Sequence, residues 1–477
     1  MTEPNIPLLE GATHDLAAFA AGLEFRQIPS EVVGRIKTSI LDSIGCCLFG
    51  ATLPWTQKVQ SMVEEDGCSP VASLFGSGRK TSVAGAVLVN ATAGHAFELD
   101  DIHKESILHP GSIALPVAVA LSEKTGRRRG TDVITAIVAG YEVGVRVGNA
   151  ATMDLFFRGF HPQGTSGVFV AAAVAGRMLG LDTKRMQHAL GIVGSQAAGL
   201  MAAQEGAMVK RFHSGRAAQS GVYAALLADK DFTGITDVLE APYGGYLSSY
   251  SGKPNAARLT DGLGVTWETQ QVGYKPHASV TSIHAALDAL AQLMRDHHLT
   301  PDAIASIEVG VSHMTYVHCA WEYKAQGVTA AQMNLFYSLA VIAFDGVAFV
   351  DQYSHERLAD PKILEFISRI KARVDPTIET KGPAFRHAAV VTLITRSGKT
   401  FSKEALHRRG SPENPLQPAE IENKFRNVVR SCLSSDDIEK VIALSSSLDQ
   451  LDDIQPLLDI LAAASLGSIF PVAAMKL

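Results

Sequence analysis

Between residues 32 and 229 the chain repeats one pattern: apolar residues at three- and four-residue intervals, broken by short polar turns. That spacing predicts helix after helix. The expected spans are 32–48, 113–124, 132–149, 167–179, 183–200 and 215–229. Pro29-Ser30 offers a start signal for the first, and Thr131 an N-cap for the third. Residues 167–179 read GVFVAAAVAGRML, and many of the others are also rich in Ala and Gly. A helix that is apolar on most faces must be covered on several sides, and small residues let its neighbours come close. The run therefore predicts a compact all-α body.

The pattern changes near residue 265. Residues 282–298 still form an amphipathic stripe, but 304–312 alternate, with Ile307, Val309 and Val311 pointing one way. Residues 388–395 and 399–403 flank Arg396-Ser397-Gly398, a hairpin signal. A polar, proline-rich connector spans 411–418, after which 419–428 and 436–464 return to helix. The expected fold is mainly α. A large all-α helical domain is formed by the N- and C-terminal segments (1–268 and 412–477). A smaller α+β lid domain (269–411) is inserted and walls one side of a cleft.

A chain of 477 residues with 47% hydrophobic and 19% charged residues has ample core for two such units. Its net charge of −6 argues against a general nucleic-acid or membrane-surface binder. The five cysteines are scattered and odd in number, a poor disulfide framework, and Cys46-Cys47 fit small core positions. No basic, apolar leader opens the N-terminus, and no apolar run reaches the length of a membrane span. A cytoplasmic location is expected. Gly76-Ser77-Gly78-Arg79-Lys80-Thr81 only approaches a phosphate-binding loop, because Arg79 separates the glycine from the lysine. There is no GxGxxG after a strand, no GxSxG and no HExxH. Asp100, Asp101, His103 and His109 match no standard metal spacing, so no metal is expected.

Four polar segments stand out because apolar helical sequence surrounds each. They run from His95 through Glu98, Asp100, Asp101 and His103 to His109; from Gly159 through His161 to Ser166; from Met208 through Lys210, Arg211 and His213 to Arg216; and from Gly273 through Lys275 to His277, with His284 beyond. Three precede expected helix starts, where N–H groups and the helix dipole favour anions. Lysine supplies a point charge and arginine a fork for carboxylates. Histidine beside carboxylates is a proton carrier near neutral pH. Together they suit proton transfer next to a carboxylate, without a cofactor.

The order of these segments resembles the MmgE/PrpD family. The resemblance rests on Gly76-Ser77-Gly78 through His95 to Asp100-Asp101, and on Gly159-Phe160-His161-Pro162 with Thr165-Ser166-Gly167. It rests also on Lys210 with His213-Ser214-Gly215-Arg216, and on Gly273-Tyr274-Lys275-Pro276 with His284. Gly410 through Pro415 and Glu422 through Phe425 extend it, so that it is effectively full-length. The family includes 2-methylcitrate dehydratase, cis-aconitate decarboxylase and iminodisuccinate epimerase. The resemblance implies a homodimer without metal or organic cofactor, whose active site lies between helical domain and lid. Its implied site positions are Asp100, Asp101, His109, His161, Lys210 and Lys275, with His213 and His277 as neighbours.

The chain departs from the family pattern after Asp101, where Ile102-His103-Lys104-Glu105 replace a usual Thr-Trp. It departs again at Lys210-Arg211-Phe212, at His277 and at Val280. Cations at His103, Lys104 and Arg211 are expected to compensate for lost carboxylate grips. The expected activity is a lyase, dehydratase or decarboxylase, on a small di- or tricarboxylic acid. Lys210, Lys275 and Arg211 would hold carboxylates, with His103, His213 and His277 also on the substrate. His161 or His109 would move the proton, and Asp100 or Asp101 would orient a histidine. An epimerase of a dicarboxylate and a non-catalytic polycarboxylate binder are the alternatives.

Overall fold

A computed structural model describes residues 9–465; the ends of both terminal segments, residues 1–8 and 466–477, lie outside the described residues. The fold is mainly α. Helices Ser30–Ala51, Val83–Gly94, Gly111–Thr125, Gly130–Phe157, Gly167–Leu179 and Val209–Ala228 form one packed body. Their small residues have a direct use. A Cβ on Gly144 would stand 2.1 Å from a Val170 methyl, and one on Gly221 would stand 2.3 Å from that of Ala171. Larger side chains there would force the helices apart.

The chain's end returns to this body. In helix Pro418–Val429, Phe425 packs against Gly45, and Lys424 Nζ reaches Asp42 Oδ1 and the Leu99 carbonyl, both at 2.6 Å. Gly76 and Gly78 donate their N–H groups to the Leu461 and Ala462 carbonyls. The loop that resembles a phosphate cradle is thus occupied by the last described helix, Gln455–Ala463. Cys46 and Cys47 are buried.

A four-stranded sheet lies in residues 304–405. Its order is Ile370–Val374, Ile304–Val311, Ala389–Thr395, Thr400–Ala405. The first pair is parallel and the rest antiparallel, with Val309 opposite Val391. The turn at Gly398 (φ 80°) closes the expected hairpin. Strand Ile370–Val374 escaped the sequence reading because its alternation runs for only five residues on a sheet edge.

Several expected boundaries move. Arg129, not Thr131, stands at the N-cap of Gly130–Phe157. The helix expected over 183–200 stops at Gly194, since 195–200 turn to bridge Leu200 with Phe160. The helix expected from Gly215 begins at Val209, so Lys210, Arg211 and His213 lie in its first turns rather than ahead of it. The span 436–464 is broken into Ser435–Ser446 and Gln455–Ala463, because Leu451 and Ile454 bond the backbone at Gly130 and Arg128. Among the described residues no single helix is long and apolar enough to cross a membrane.

Candidate active site

Helix Val83–Gly94 ends at His95, and the chain then runs irregularly to Pro110. Strand Ile102–His103 in this stretch pairs antiparallel with Val272–Gly273. That short ladder brings Lys275 beside Asp100, although 174 positions of sequence separate them. Glu98 (φ 56°) and Ile107 (φ 52°) sit in the left-handed region. Such backbone costs on the order of 1–3 kcal/mol for a side-chain-bearing residue and concentrates at functional sites.

A cavity opens over this loop. His109, His161, Lys210 and Lys275 line it together, with Glu98 between the lysines. Four segments spread over 167 positions therefore share one hollow. Asp100 is buried beneath. Its Oδ2 accepts from His95 Nδ1 at 2.6 Å, while His109 Nδ1 and Lys275 Nζ approach Oδ1 at 3.4 and 3.8 Å. Burial alone would raise this carboxyl, but His109 and His95 hold it well below the usual range.

His109 Nδ1 donates to the Asp101 carbonyl at 2.7 Å. A carbonyl only accepts, so the neutral ring carries its hydrogen on Nδ1 and its Nε2 is the basic atom. Burial pushes the His95 imidazole down to about 3, against the pull of Asp100. Burial, with His95, Lys210, His213 and His109 beside it, likewise keeps His161 well below the ordinary imidazole range.

Asp101 serves the architecture around His109. Its carboxylate accepts from Gly111 N–H at 3.0 Å and Tyr141 hydroxyl at 2.7 Å, and it does not line the cavity. Burial raises this carboxyl to about 8, against the two donors, which favours its protonated form.

The cations are less free than the sequence implied. Glu98 Oε1 receives Lys210 Nζ and, at 2.7 Å, Arg211 Nη1; Oε2 receives Lys275 Nζ at 3.1 Å. Burial would raise Glu98, but Lys210, Lys275 and Arg211 hold it well below its usual range. Burial lowers Lys210 to about 8 despite Glu98. Three cations thus share one glutamate, with Asp100 as the next nearest acid. Glu98 stood in the first polar segment without a role, and its signal was present: buried cations need a counter-ion.

Other expected contacts fall elsewhere. His103 is held by Ser106 Oγ (2.9 Å) and Glu268 (3.2 Å) and is outside the lining. His277 bonds Asp288 at 3.1 Å and borders a separate cavity. Arg211 lies behind Glu98, and His213 behind His161 at 2.8 Å. Of the compensating cations, Lys104 alone lines the cavity, alongside Val280 and Ile102. The lining also includes Thr281, Ser282, His318, Arg386 and His387, which no sequence motif marked. Arg386 donates to the Lys104 carbonyl at 2.6 Å and pairs with Glu105 at 3.1 Å, while Lys104 Nζ donates to the Ala384 carbonyl at 2.8 Å. These bonds tie residues 104–105 to 384–386 at the cavity.

His95, Asp100 and His109 stand close enough to share a metal ion. His95 Nδ1 is spent on Asp100 Oδ2, although His95 Nε2 and Asp100 Oδ1 have no hydrogen-bond partner among the described residues. His109 Nδ1 is a donor to a carbonyl, and the Lys275 ammonium faces the same Asp100 oxygen. That arrangement repels a cation.

The family model described as MmgE/PrpD N-terminal domain matches residues 14–258, and that described as MmgE/PrpD C-terminal domain matches residues 277–450. Cis-aconitate decarboxylase of Aspergillus terreus is 31% identical over 472 residues, covering 94% of this chain and 96% of that protein. Cis-aconitate decarboxylase-like protein oryM of Aspergillus oryzae is 30% identical over 475 residues, covering 94% and 97%. Cis-aconitate decarboxylase of Homo sapiens is 27% identical over 483 residues, covering 96% of each.

Proposed function

This chain belongs to the MmgE/PrpD family, and from that premise we propose that it decarboxylates a small unsaturated tricarboxylic acid of the cis-aconitate type. It is a lyase of that family, and the substrate comes from its relatives. The observation that carries the reading is the shared cavity of His109, His161, Lys210 and Lys275.

The chemistry needs little beyond these groups. In such an acid one carboxylate sits on a CH2 next to a carbon–carbon double bond. The C–C bond to that carboxylate breaks and releases CO2. Its electron pair forms a new terminal double bond. The old double-bond pair moves toward the carbon that bears another carboxylate, and that carbon takes a proton. Lys210 and Lys275 hold the remaining carboxylates and stabilise the charge as it moves. His161 delivers the proton, for its own site disfavours an imidazolium unless a polyanion is bound. His109, with a basic Nε2 set by its bond to the Asp101 carbonyl, orients the acid. Asp100 keeps the histidines in place. A proton moves and no electrons leave the substrate, so no redox partner is required.

The lid over residues 269–411 and the helical remainder, the homodimer and the cytoplasmic location belong to the same proposal. Val209, Tyr223 and Leu227, exposed on one face of helix Val209–Ala228, supply an apolar surface for a second subunit. Light scattering tests that part. For the reaction, the protein is incubated with cis-aconitate in D2O and followed by NMR. CO2 release with one deuterium entering the product supports decarboxylation. Loss of water, or deuterium exchange without CO2, points to a dehydratase or an epimerase. Stabilisation by citrate-like acids with no turnover would leave only a binder.

A further inference from the structure

The proton added to carbon must reach a donor that is nearly sealed from water. His161 is 6% exposed, and a substrate in the cavity covers what remains. Its Nδ1 lies 2.8 Å from Nδ1 of His213, with ring centroids 5.0 Å apart. His213 is half-buried, outside the cavity lining, on helix Val209–Ala228. Backbone fixes the contact. Gly199 accepts the His161 N–H at 3.0 Å, and a Cβ on Gly199 would touch His213 Nδ1 at 3.4 Å.

Two Nδ1 atoms at this distance share one hydrogen. Two N–H groups would collide and two lone pairs would repel. In the neutral pair, one ring donates at Nδ1, and the accepting ring carries its hydrogen on Nε2. When His213 donates, His161 presents an Nε2–H to the cavity and remains uncharged.

We propose that His213 is a positioning residue that relays protons from solvent to His161. This rests on the reading of His161 as the proton donor. A solvent proton binds His213 Nε2, and the Nδ1 hydrogen of His213 passes to Nδ1 of His161. The Nε2 hydrogen of His161 goes to the substrate carbon as CO2 leaves. Each ring gains one N–H and loses one, and the net change is one solvent proton on carbon. The tautomers reset through water in the emptied cavity. The charged or titratable groups facing His161 are His95, Lys210, His213 and His109, and Lys210 also faces His213. No carboxylate in this set competes for the shared hydrogen.

The test compares His213→Ala, His213→Asn and His161→Gln in the full chain, with cis-aconitate as substrate. Asn keeps a hydrogen-bonding group near Nδ1 but passes no proton. A relay predicts that both His213 variants lose about ten- to hundredfold in kcat with KM within about twofold. Added imidazole should restore His213→Ala, and the solvent isotope effect on kcat should rise. Full kcat in His213→Asn overturns the relay, because hydrogen bonding alone then suffices. An inactive His161→Gln beside unimpaired His213 variants also removes the relay while sparing the donor. Unimpaired His161→Gln removes the donor assignment itself.

Discussion

Lys424 and Lys210 are buried to nearly the same depth, 7% and 6% exposed, in the same helical body. Their surroundings differ in stoichiometry. Lys424 meets one acid, Asp42, and one carbonyl, Leu99. Burial opposes its charge, yet Asp42 holds the ammonium above its ordinary range. Lys210 divides Glu98 with Arg211 and Lys275, and burial takes it down to about 8. The first is one cation on one acid, and it ties the returning C-terminal helix to Ser30–Ala51. The second holds more cations than its nearest acid can neutralise and borders a cavity. A cluster in charge excess is relieved by an incoming anion, whereas a matched pair gains nothing from one.

The sharpest way to break this contrast is to remove each ammonium. Lys424→Met leaves Asp42 buried without its partner and should cost roughly 3–5 kcal/mol of stability in denaturant unfolding. Activity per folded molecule should stay near that of the unaltered chain. Lys210→Met should do the reverse. Melting temperature holds or rises as the excess charge goes, while turnover falls at least about a hundredfold, or about 2.7 kcal/mol of barrier. Equal losses of stability in both variants would abolish the distinction.

The pH dependence sharpens it. Burial lowers Lys210 to about 8, so the free enzyme keeps this charge below that pH and loses it above. kcat/KM should therefore fall about tenfold per pH unit above roughly pH 8. Lys210→Arg, which does not titrate there, should move that limb away even if it is slower overall. The adjacent aspartates give the smallest effect. Burial raises Asp101 to about 8, which favours its neutral form, and Asn can accept from Gly111 and donate to Tyr141. Asp101→Asn should keep rates within about threefold, while Asp100→Asn, which removes a charge held between His95, His109 and Lys275, should lose at least about tenfold. Steady-state rates on the two variants check both.

Periodicity reached the helices with long apolar faces and the 389–405 hairpin, because burial selects side chains at fixed intervals. It missed strand Ile370–Val374, whose two-residue repeat runs for only five residues. It misplaced the start of Val209–Ala228, which lacks a side-chain cap to mark it. In the site, His109, His161, Lys210 and Lys275 were legible as polar residues inside apolar sequence. His103 and His277 carried the same local signal and turned to Glu268 and Asp288 instead. Local sequence does not encode where a side chain points across a ladder.

The amino-acid order alone fixes which residues must be buried, and so a mainly α body with an unusual number of polar groups inside it. It also fixes the family resemblance, since the motif order survives without coordinates. Only the tertiary structure decided that Glu98 holds three cations at once, that Asp100 is held low while burial raises Asp101, and that Arg386 and His387 line the same cavity as the lysines. Those outcomes depend on distance and desolvation between segments far apart in the chain. Coulomb energy and burial vary with position in space, and composition carries neither.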